Sequence, residues 1–267
     1  SVLDLKYGDE VIASPMACLA STQPYASSGL KIVWADVDNN LGTLDPESVR
    51  QKITSKTRCI IHNHFCGYPG HIDEINAIGH EFGITVIDDG IECFGSLYKG
   101  NKIGNCGSDI TVFSFTAVRI PNTIDGGAII FNDEKLFNKS TLVRDCGIDR
   151  NFFRDEIGEI NPKCDINLTG YSATMSNVNG YIGCVQMENV ENLIDLQRKQ
   201  AEEWNDFFSA EKEIMPISIG ESLPNYWVYG LFAKDKRKTI LKFRDNGLYA
   251  SGVHINNNIY SVFGNNS

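Results

Sequence analysis

Short apolar runs alternate with helical patterns through the first half of the chain. Continuous runs rich in Val, Ile and Phe are typical of strands that are buried on both faces of a sheet. Such runs predict strands at 31–36, 58–63, 83–88, 109–115 and 127–131. The chain between these strands carries helical signals instead, which is the order expected of an α/β protein.

The helices between the strands are indicated by their end signals. Asp45, followed by a proline in the first turn, predicts a helix over 45–53. An amphipathic pattern predicts a second helix over Ile72–Phe82 that ends at Gly83, and a third helix is predicted over 133–144. Strands that alternate with such helices predict an open, largely parallel sheet covered by helices.

The pattern changes after about residue 145. The segment 150–170 is polar and irregular, which predicts a long surface segment, and 177–210 predicts one or two long helices. The rest of the chain predicts a strand, a helix and a short strand, at 226–233, 237–246 and 251–254. We therefore expect a boundary near residue 180, between a large α/β domain of residues 1–180 and a smaller domain of residues 181–267.

The composition of the chain mainly excludes classes of partner and location. Lys and Arg total 24 against 34 for Asp and Glu, which gives a formal net charge of −10. A general nucleic-acid partner or an anionic membrane needs a basic surface, so neither is expected. The chain has no apolar run of about 18 residues and no signal-peptide pattern at its start, so no transmembrane helix or leader is expected. The eight cysteines form no CxxC pair, which indicates reduced thiols and a cytoplasmic location.

Candidate chemistry begins with Asp88 and Asp89, which end a predicted buried strand. In open α/β sheets ligands bind beyond the carboxyl ends of the strands, so these acids lie where a site is expected. Asp88 is equally consistent with a cap of the next helix. The neighbouring sequence offers no histidine or cysteine set at ligand spacing, so we expect no metal. An unrelated α/β glycosyltransferase that uses both acids with a metal remains an alternative.

Two further segments carry polar residues at the end of a predicted strand. Ser114 and Arg119 belong to or follow the strand at 109–115, where a strand serine and a surface arginine would be ordinary. His64 and Cys66 lie in a Gly/Pro loop, which is consistent with a nucleophile or a metal ligand and also with an ordinary loop. Neither segment identifies a function on its own.

The order of the segments is more specific than any one of them. Along the chain they are GDEVI, PMACLAST, VWADVD, NHFCGYPG, VIDDGIECFG, YKGNKIG, FSFTAVR, DGGAIIF and GIDR, with YWVYGLFA and SGVHINNNIYSVF near the end. This series resembles the DegT/DnrJ/EryC1/StrS family of sugar aminotransferases from Gly8 to about Phe263. The family usually extends beyond both points, so we expect a chain that is short at both ends.

The resemblance implies a fold and a chemistry. The expected fold is the aspartate aminotransferase-like fold type I of pyridoxal-phosphate (PLP) enzymes, a class of α/β protein. It has a large domain with a mixed, mostly parallel sheet and a smaller α+β domain, which we expect to be incomplete here. The implied cofactor is PLP or its amine form, pyridoxamine phosphate (PMP). The implied substrates are a nucleotide-linked keto sugar and an amino donor such as glutamate, and the implied assembly is a homodimer.

The resemblance also assigns cofactor contacts. Asp89 matches the acid that pairs with the pyridinium nitrogen and keeps it protonated, so that the ring accepts electrons. Ser114 matches a serine that donates to the cofactor phosphate, and Cys18 lies where many members place an aromatic ring. Glu92 replaces a glutamine beside the phenolic oxygen, so we expect it to be protonated or to point away.

Three other positions are assigned to the site, and one of them, Ser172, departs from the family. Ser172 lies where the family has an asparagine that reaches the cofactor phosphate of the neighbouring subunit, and we count it as a cofactor contact. His64 and His254 are assigned to substrate binding. Several departures at one site, among them Glu92, Ser172 and the arginine at 119, indicate a pocket that has decayed or changed its use.

Arg119 decides which activity the resemblance implies. It falls where the family's lysine forms a Schiff base with the cofactor and moves a proton, which requires an amine that can lose its charge. Guanidinium groups have pKa values above about 12 and stay charged in proteins. We therefore expect impaired or lost transamination. The alternative is a non-catalytic homologue that keeps the fold and the dimer and binds PLP, PMP or a nucleotide sugar.

Overall fold

The computed structural model describes residues 1–211 and 213–264. Its strands are β1 (Glu10–Ala13), β2 (Lys31–Trp34), β3 (Thr57–Asn63), β4 (Thr85–Asp89), β5 (Leu97–Tyr98), β6 (Asn101–Lys102), β7 (Ile110–Ser114), β8 (Gly127–Phe131), β9 (Ile214–Pro216), β10 (Ser222–Leu223) and β11 (Leu231–Ala233). Its helices are α1 (Leu19–Ser27), α2 (Pro46–Lys52), α3 (Ile72–Phe82), α4 (Glu134–Arg144), α5 (Asn177–Met187), α6 (Val190–Phe208) and α7 (Lys236–Asp245). None of these helices is long and apolar enough to cross a membrane.

A six-stranded sheet organises the first half of the chain. Its strand order is β2-β1-β3-β4-β7-β8, and neighbouring strands are parallel except for β8, which runs antiparallel to β7. Two smaller antiparallel sheets, β10-β5-β6 and β11-β9, include the short strands of the second half. The predicted mixed, mostly parallel sheet is therefore confirmed.

Apolar side chains cover both faces of the large sheet. On one face Ile12 and Val86 belong to a buried cluster with Val49 of α2 and with side chains of α3. On the opposite face Val11 packs in a second cluster with Tyr25 of α1. Successive residues of a strand point to opposite faces, so the sheet lies between α1 on one side and α2 with α3 on the other.

The helix ends follow the signals in the sequence. Asp45 accepts a hydrogen bond from the Glu47 N–H, and Asp133 accepts one from the Leu136 N–H, as expected of N-cap residues. Gly83 adopts a φ of 64°, the left-handed conformation that ends α3 without a Cβ clash. The predicted helix boundaries in the first half are confirmed to within a residue or two.

Of the two strands predicted for the second half, one is shorter than predicted and the other is wrong. The strand over 226–233 shortens to β11, because the N–H groups of Trp227 and Gly230 donate to side chains rather than to a neighbouring strand. The described residues hold no strand at 251–254, where His254 adopts a φ of 54° and interrupts the extended chain. Side-chain partners, one only two residues away (Asn225) and one distant in sequence (Tyr68), therefore overrode the apolar pattern.

The pattern also missed β1 and α1. Strand β1 has four residues, and α1 contains Pro24, a residue that usually ends a helix. The long segment 150–170 is irregular as predicted, and the predicted helical region over 177–210 is the pair α5 and α6. The domain boundary near residue 180 stays a prediction.

Strand β8 forms one edge of the large sheet. Its inner side pairs with β7, whereas its outer side has no strand partner among residues 1–211 and 213–264. Ile129 and Ile130 are 54% and 39% exposed, although their sequence is typical of a buried strand. The sheet therefore ends in an apolar strand that faces solvent.

Candidate active site

Polar side chains gather where β3, β4 and β7 end, on one face of the large sheet. Asp89 at the end of β4 is the register partner of Asn63 on β3 and of Val112 on β7. Ser114 lies two residues beyond Val112 and therefore on the same face. This face, which α1 covers, is where a ligand site is expected in an open α/β sheet.

Asp89 is a buried acid with an unpartnered oxygen. It is 6% exposed, its Oδ1 accepts a long hydrogen bond from the Ile91 N–H at 3.4 Å, and its Oδ2 has no partner in the described part of the chain. Burial raises the pKa of Asp89, although the nearby Ser21 hydroxyl opposes the increase. Burial and the charge of Asp89 also raise the pKa of Tyr25, which shows that α1 lies close to this acid. A cationic N–H donor would satisfy the free oxygen and oppose the effect of burial.

Glu92 and Arg119 form a buried ion pair near Asp89. Glu92 Oε1 lies 3.3 Å from Arg119 Nη1, and the two side chains are 3% and 10% exposed. The other oxygen, Glu92 Oε2, accepts a hydrogen bond from the Cys66 N–H at 2.8 Å. Burial raises the pKa of Glu92 to about 7, although the charge of Arg119 opposes the increase. Both oxygens of Glu92 are thus engaged by groups of this chain.

Trp227 completes the surroundings of Arg119. The guanidinium carbon of Arg119 lies 4.2 Å from the centre of the Trp227 ring, a cation–π contact. Trp227 Nε1 also donates to the carbonyl of Val118 at 2.7 Å, so one side chain holds both the arginine and the main chain before it. Arg119 Nε is buried without a partner among the described residues.

Asn225, in the second half of the chain, forms hydrogen bonds with the segment that carries Glu92 and with Trp227. Its Nδ2 donates to the carbonyls of Glu92 and Phe94 at 2.8 and 3.0 Å, and its Oδ1 accepts from the Trp227 N–H at 2.8 Å. Gly67 lies directly against it, because a Cβ at that position would collide with Asn225 Oδ1. Asn225 is 3% exposed, so these bonds are shielded from water.

Asn225 and Trp227 are site residues that the sequence pattern does not identify. The available signal was an asparagine two residues before a tryptophan, a spacing at which the Asn side chain can accept from the backbone N–H two residues on. That signal predicts a turn and carries no information about Arg119, which lies more than a hundred residues earlier in the chain.

The remaining predicted cofactor contacts have varied surroundings. Ser114 Oγ lies 3.2 Å from Thr116 Oγ1 and accepts from the Thr116 N–H at 3.4 Å. Cys18 is half-buried at the N-cap of α1, where its side chain makes no capping hydrogen bond. Ser172 is exposed, and its backbone pairs with Asp145. The structure thus groups Asp89, Glu92 and Arg119, whereas Ser172 lies at the surface of the single chain.

The two histidines assigned to substrate binding differ in access. His254 is half-buried, and burial together with the charge of Arg119 lowers its pKa, so it lies near the ion pair. His64 is completely buried and faces Asp88, on the opposite side of the sheet from Asp89. A substrate has no access to the His64 imidazole, so the geometry does not support that assignment.

Asp88 is the centre of a buried polar cluster that sequence spacing did not predict. Its Oδ1 lies 3.4 Å from His62 Nδ1 and 3.5 Å from His64 Nε2, and its Oδ2 accepts from Ser108 Oγ at 2.6 Å. Burial alone raises the pKa of Asp88, but the two histidines hold it well below its usual range. Asp88 therefore bonds within the core and does not cap the next helix.

The same cluster meets the distance requirement of a metal site, contrary to the expectation that no histidine set lies near the acids. The tautomer argues against a metal. The Gly70 N–H donates to His64 Nδ1 at 3.4 Å, which leaves the proton of a neutral ring on Nε2, facing Asp88. A histidine that ligates through Nε2 carries its proton on Nδ1 and donates it to an acceptor. Among the described residues, both ring nitrogens of His62, His64 Nε2 and Asp88 Oδ1 have no hydrogen-bond partner, so Ser108 supplies the one hydrogen bond to the Asp88 carboxylate there.

Comparison with known proteins agrees with this architecture. The model of the DegT/DnrJ/EryC1/StrS aminotransferase family matches residues 1–259. The crystal structure of the sugar aminotransferase CalS13 from Micromonospora echinospora is 25% identical, with a TM-score of 0.89 over 99% of this chain and 72% of that chain. AtS13 from Actinomadura melliaura is 26% identical, with a TM-score of 0.91 over 99% of this chain and 71% of that chain.

A third structure extends the likeness in fold alone. It is the E. coli GDP-4-keto-6-deoxy-D-mannose-3-dehydratase with bound hydrated PLP, which is 23% identical, with a TM-score of 0.82 over 93% of this chain and 67% of that chain. The fold is thus that of the PLP-dependent sugar aminotransferases, and the alternative of an unrelated glycosyltransferase is wrong. Because the family model spans nearly all of the described residues, the chain belongs to the DegT/DnrJ/EryC1/StrS aminotransferase family.

Proposed function

We propose that this chain binds PLP or PMP reversibly at Asp89, as a cytoplasmic homodimer, and that its amino-transfer activity is impaired or lost. The observation that carries the proposal is the environment of Arg119. Its guanidinium lies 3.3 Å from Glu92 and 4.2 Å from the centre of the Trp227 ring. By resemblance, this is the position at which the family has its Schiff-base lysine.

The residues around Asp89 suit the pyridine end of such a cofactor. Asp89 Oδ2 is buried without a hydrogen-bond partner among residues 1–211 and 213–264, and a pyridinium N–H would supply a donor to it. The Ser114 hydroxyl is suited to a phosphate oxygen, and Cys18 offers a polarizable surface to a ring. When bound, the PLP group supplies an electron sink, and the part of Asp89 is to keep its ring nitrogen protonated.

Arg119 can bind a ligand, but it cannot replace a lysine that bonds covalently to the cofactor. A guanidinium keeps its charge, so it has no free electron pair for a carbonyl carbon and does not accept a proton. Its Nε has no partner in the part of the chain that the structure describes, so it can orient an acceptor atom of a ligand. This chain therefore retains a cation at the site without retaining a base there.

The two lysines that precede Arg119 most closely in sequence are already paired with acids. Lys99 Nζ lies 2.6 Å from Asp73 and 2.9 Å from Glu221, and Lys102 Nζ lies 2.6 Å from Glu191. Hydrogen bonds to Asp73 and Glu221 raise the pKa of Lys99, which keeps its amine protonated. A protonated amine is not nucleophilic, so these lysines are poor substitutes.

The substrate class follows from the family. Any residual amino transfer would use a nucleotide-linked keto sugar and an amino donor such as glutamate, and CalS13 is itself described as a sugar aminotransferase. The second candidate is a non-catalytic homologue that keeps the fold and the dimer and binds PLP, PMP or a nucleotide sugar. The pairing of Arg119 with Glu92 favours it. The impaired enzyme and the non-catalytic homologue would differ in whether they turn over substrate, but both would use the same binding site.

Binding and covalent linkage can be measured separately. Purified protein is dialysed against PLP or PMP to measure retained cofactor, and a second portion is treated with borohydride and analysed by intact mass spectrometry. We expect retention without a mass increase, and no amino transfer from glutamate to a nucleotide-linked keto sugar. A borohydride-dependent phosphopyridoxyl mass on a lysine, or the absence of any PLP and PMP binding, would overturn the proposal.

A variant of Asp89 tests the binding site. Asp89→Asn removes the charge that a pyridinium nitrogen would contact, and hydrogen bonds to charged groups contribute about 1.5–3 kcal/mol. We expect PLP to bind at least about tenfold more weakly. Asp165→Asn makes the same chemical change at an exposed position and should leave binding unchanged. Equal affinities for the two variants would show that PLP binds elsewhere.

A further inference from the structure

Glu92 and Arg119 share one buried environment in which each depends on the other. The two side chains are 3% and 10% exposed, and their closest atoms are 3.3 Å apart. Removal of one partner from a buried ion pair leaves an uncompensated charge, whereas replacement of both does not. The identity of the residue at 92 therefore constrains the residue that the site accepts at 119.

The position of Glu92 is fixed from its other side. Its Oε2 accepts from the Cys66 N–H at 2.8 Å, and Cys66 adopts a left-handed φ of 59° that directs its N–H there. The Glu92 carbonyl accepts from Asn225 Nδ2 at 2.8 Å. Glu92 is thus held at its carboxylate and at its main chain, so it does not turn away when residue 119 changes.

Trp227 holds Arg119 from the opposite side. Its ring lies against the guanidinium at 4.2 Å, and its Nε1 donates to the Val118 carbonyl at 2.7 Å. The backbone N–H of Trp227 in turn donates to Asn225 Oδ1. The side chain at 119 is therefore directed between an acid and an aromatic ring, both of which are anchored by Asn225.

We propose that Glu92 and Trp227 are positioning residues for the side chain at 119, and that Glu92 and Arg119 form a single unit that excludes covalent cofactor linkage. A lysine placed at 119 would meet the Glu92 carboxylate and stay an ammonium group. Glutamine at 92 would still accept from the Cys66 N–H through its amide oxygen, but it would no longer stabilise the charged amine. The inference rests on the proposed PLP site.

The first experiment measures covalent PLP uptake as a function of pH. Arg119→Lys and the double variant Arg119→Lys/Glu92→Gln are incubated with PLP, treated with borohydride and analysed by intact mass spectrometry. We expect the half-maximal pH of uptake to be lower in the double variant by about one unit or more, because an adjacent acid stabilises the charged amine by that order. Arg58→Lys, an exposed change, should give no more uptake than a surface lysine of the unaltered protein. Coincident pH profiles would overturn the part assigned to Glu92.

The second experiment tests the pairing of Glu92 with Arg119 in the absence of any cofactor. Thermal unfolding is compared for Glu92→Gln, Arg119→Gln and the double variant. We expect the double variant to lose less in Tm than the sum of the two single losses, because the pair is removed as a whole. Additive losses would overturn the pairing. Non-additive losses without PLP uptake by any variant would instead sustain the pairing and overturn the proposed PLP site.

Variants of Trp227 test its part within the double variant Arg119→Lys/Glu92→Gln. Trp227→Leu removes the ring face and the N–H donor, and we expect slower PLP uptake. Trp227→Phe restores a ring face, so it should recover part of the rate. If Trp227→Leu takes up PLP as fast as its parent, Trp227 does not position residue 119. Circular dichroism on each variant confirms that the compared proteins are folded.

Discussion

Asn225 makes three side-chain hydrogen bonds in a dry environment, and their loss should be measurable. Asn225→Ala leaves the carbonyls of Glu92 and Phe94 and the Trp227 N–H without their partner. With a net contribution of about 1 kcal/mol for each of three bonds, the free energy of unfolding should fall by about 3 kcal/mol. Since Asn225 is 3% exposed, water will not replace these bonds at low cost.

The measurement is urea unfolding followed by circular dichroism, with the free energy extrapolated to water. Asn151→Ala is the matched control, because Asn151 is exposed, and it should change stability by no more than about 0.5 kcal/mol. Asn225→Asp provides a second comparison. It keeps the acceptor for the Trp227 N–H but sets a charge against two carbonyls, so it should be at least as unstable as the alanine variant. A loss below about 1 kcal/mol for Asn225→Ala would refute this account.

Three other changes have defined outcomes. Gly67→Ala should lower Tm more than Gly158→Ala, because both glycines have φ near +90° but only a Cβ at Gly67 would collide with Asn225; equal losses would leave backbone strain as the whole effect. The raised pKa of Glu92 makes its contribution to stability complete below 4.5 and lost as the pH rises through about 7. Urea unfolding of Glu92→Gln should accordingly show a smaller decline in stability over that pH range than the unaltered protein, and parallel declines would contradict the assignment. Asp88→Asn weakens a charged acceptor that faces His62 and His64, so calorimetry should show a loss of about 2 kcal/mol.

The sheet and its helices were predictable because their signals are local. Asp45 and Gly83 mark helix ends through their own conformations, and the strands of the sheet are continuous apolar runs. The strand predicted over 226–233 failed for a physical reason of another kind. The N–H groups of Trp227 and Gly230 bond to side chains whose positions depend on the whole fold.

The residues of the candidate site likewise divide into those with a local sequence signal and those that come together only in the fold. Asp89 was predictable, since a polar residue at the carboxyl end of a buried strand lies where ligands bind in this class of sheet. The partner of Glu92 was not predictable from spacing, because Arg119 approaches it only after β7 and its following loop have been placed. The same holds for His62 and His64, which meet Asp88 only when β3 pairs with β4 in the observed register.

The solvent-facing edge at β8 determines how the protein will behave at high concentration. An edge strand that has no outer strand partner among the described residues, with Ile129 and Ile130 exposed, can accept a strand from another molecule, which is a common route to aggregation. The net charge of −10 opposes such contacts at neutral pH and vanishes near the isoelectric point of about 5.0. Solubility should therefore be lowest near that pH. Ile129→Lys should widen the usable range, because a charged side chain on an edge strand resists intermolecular pairing.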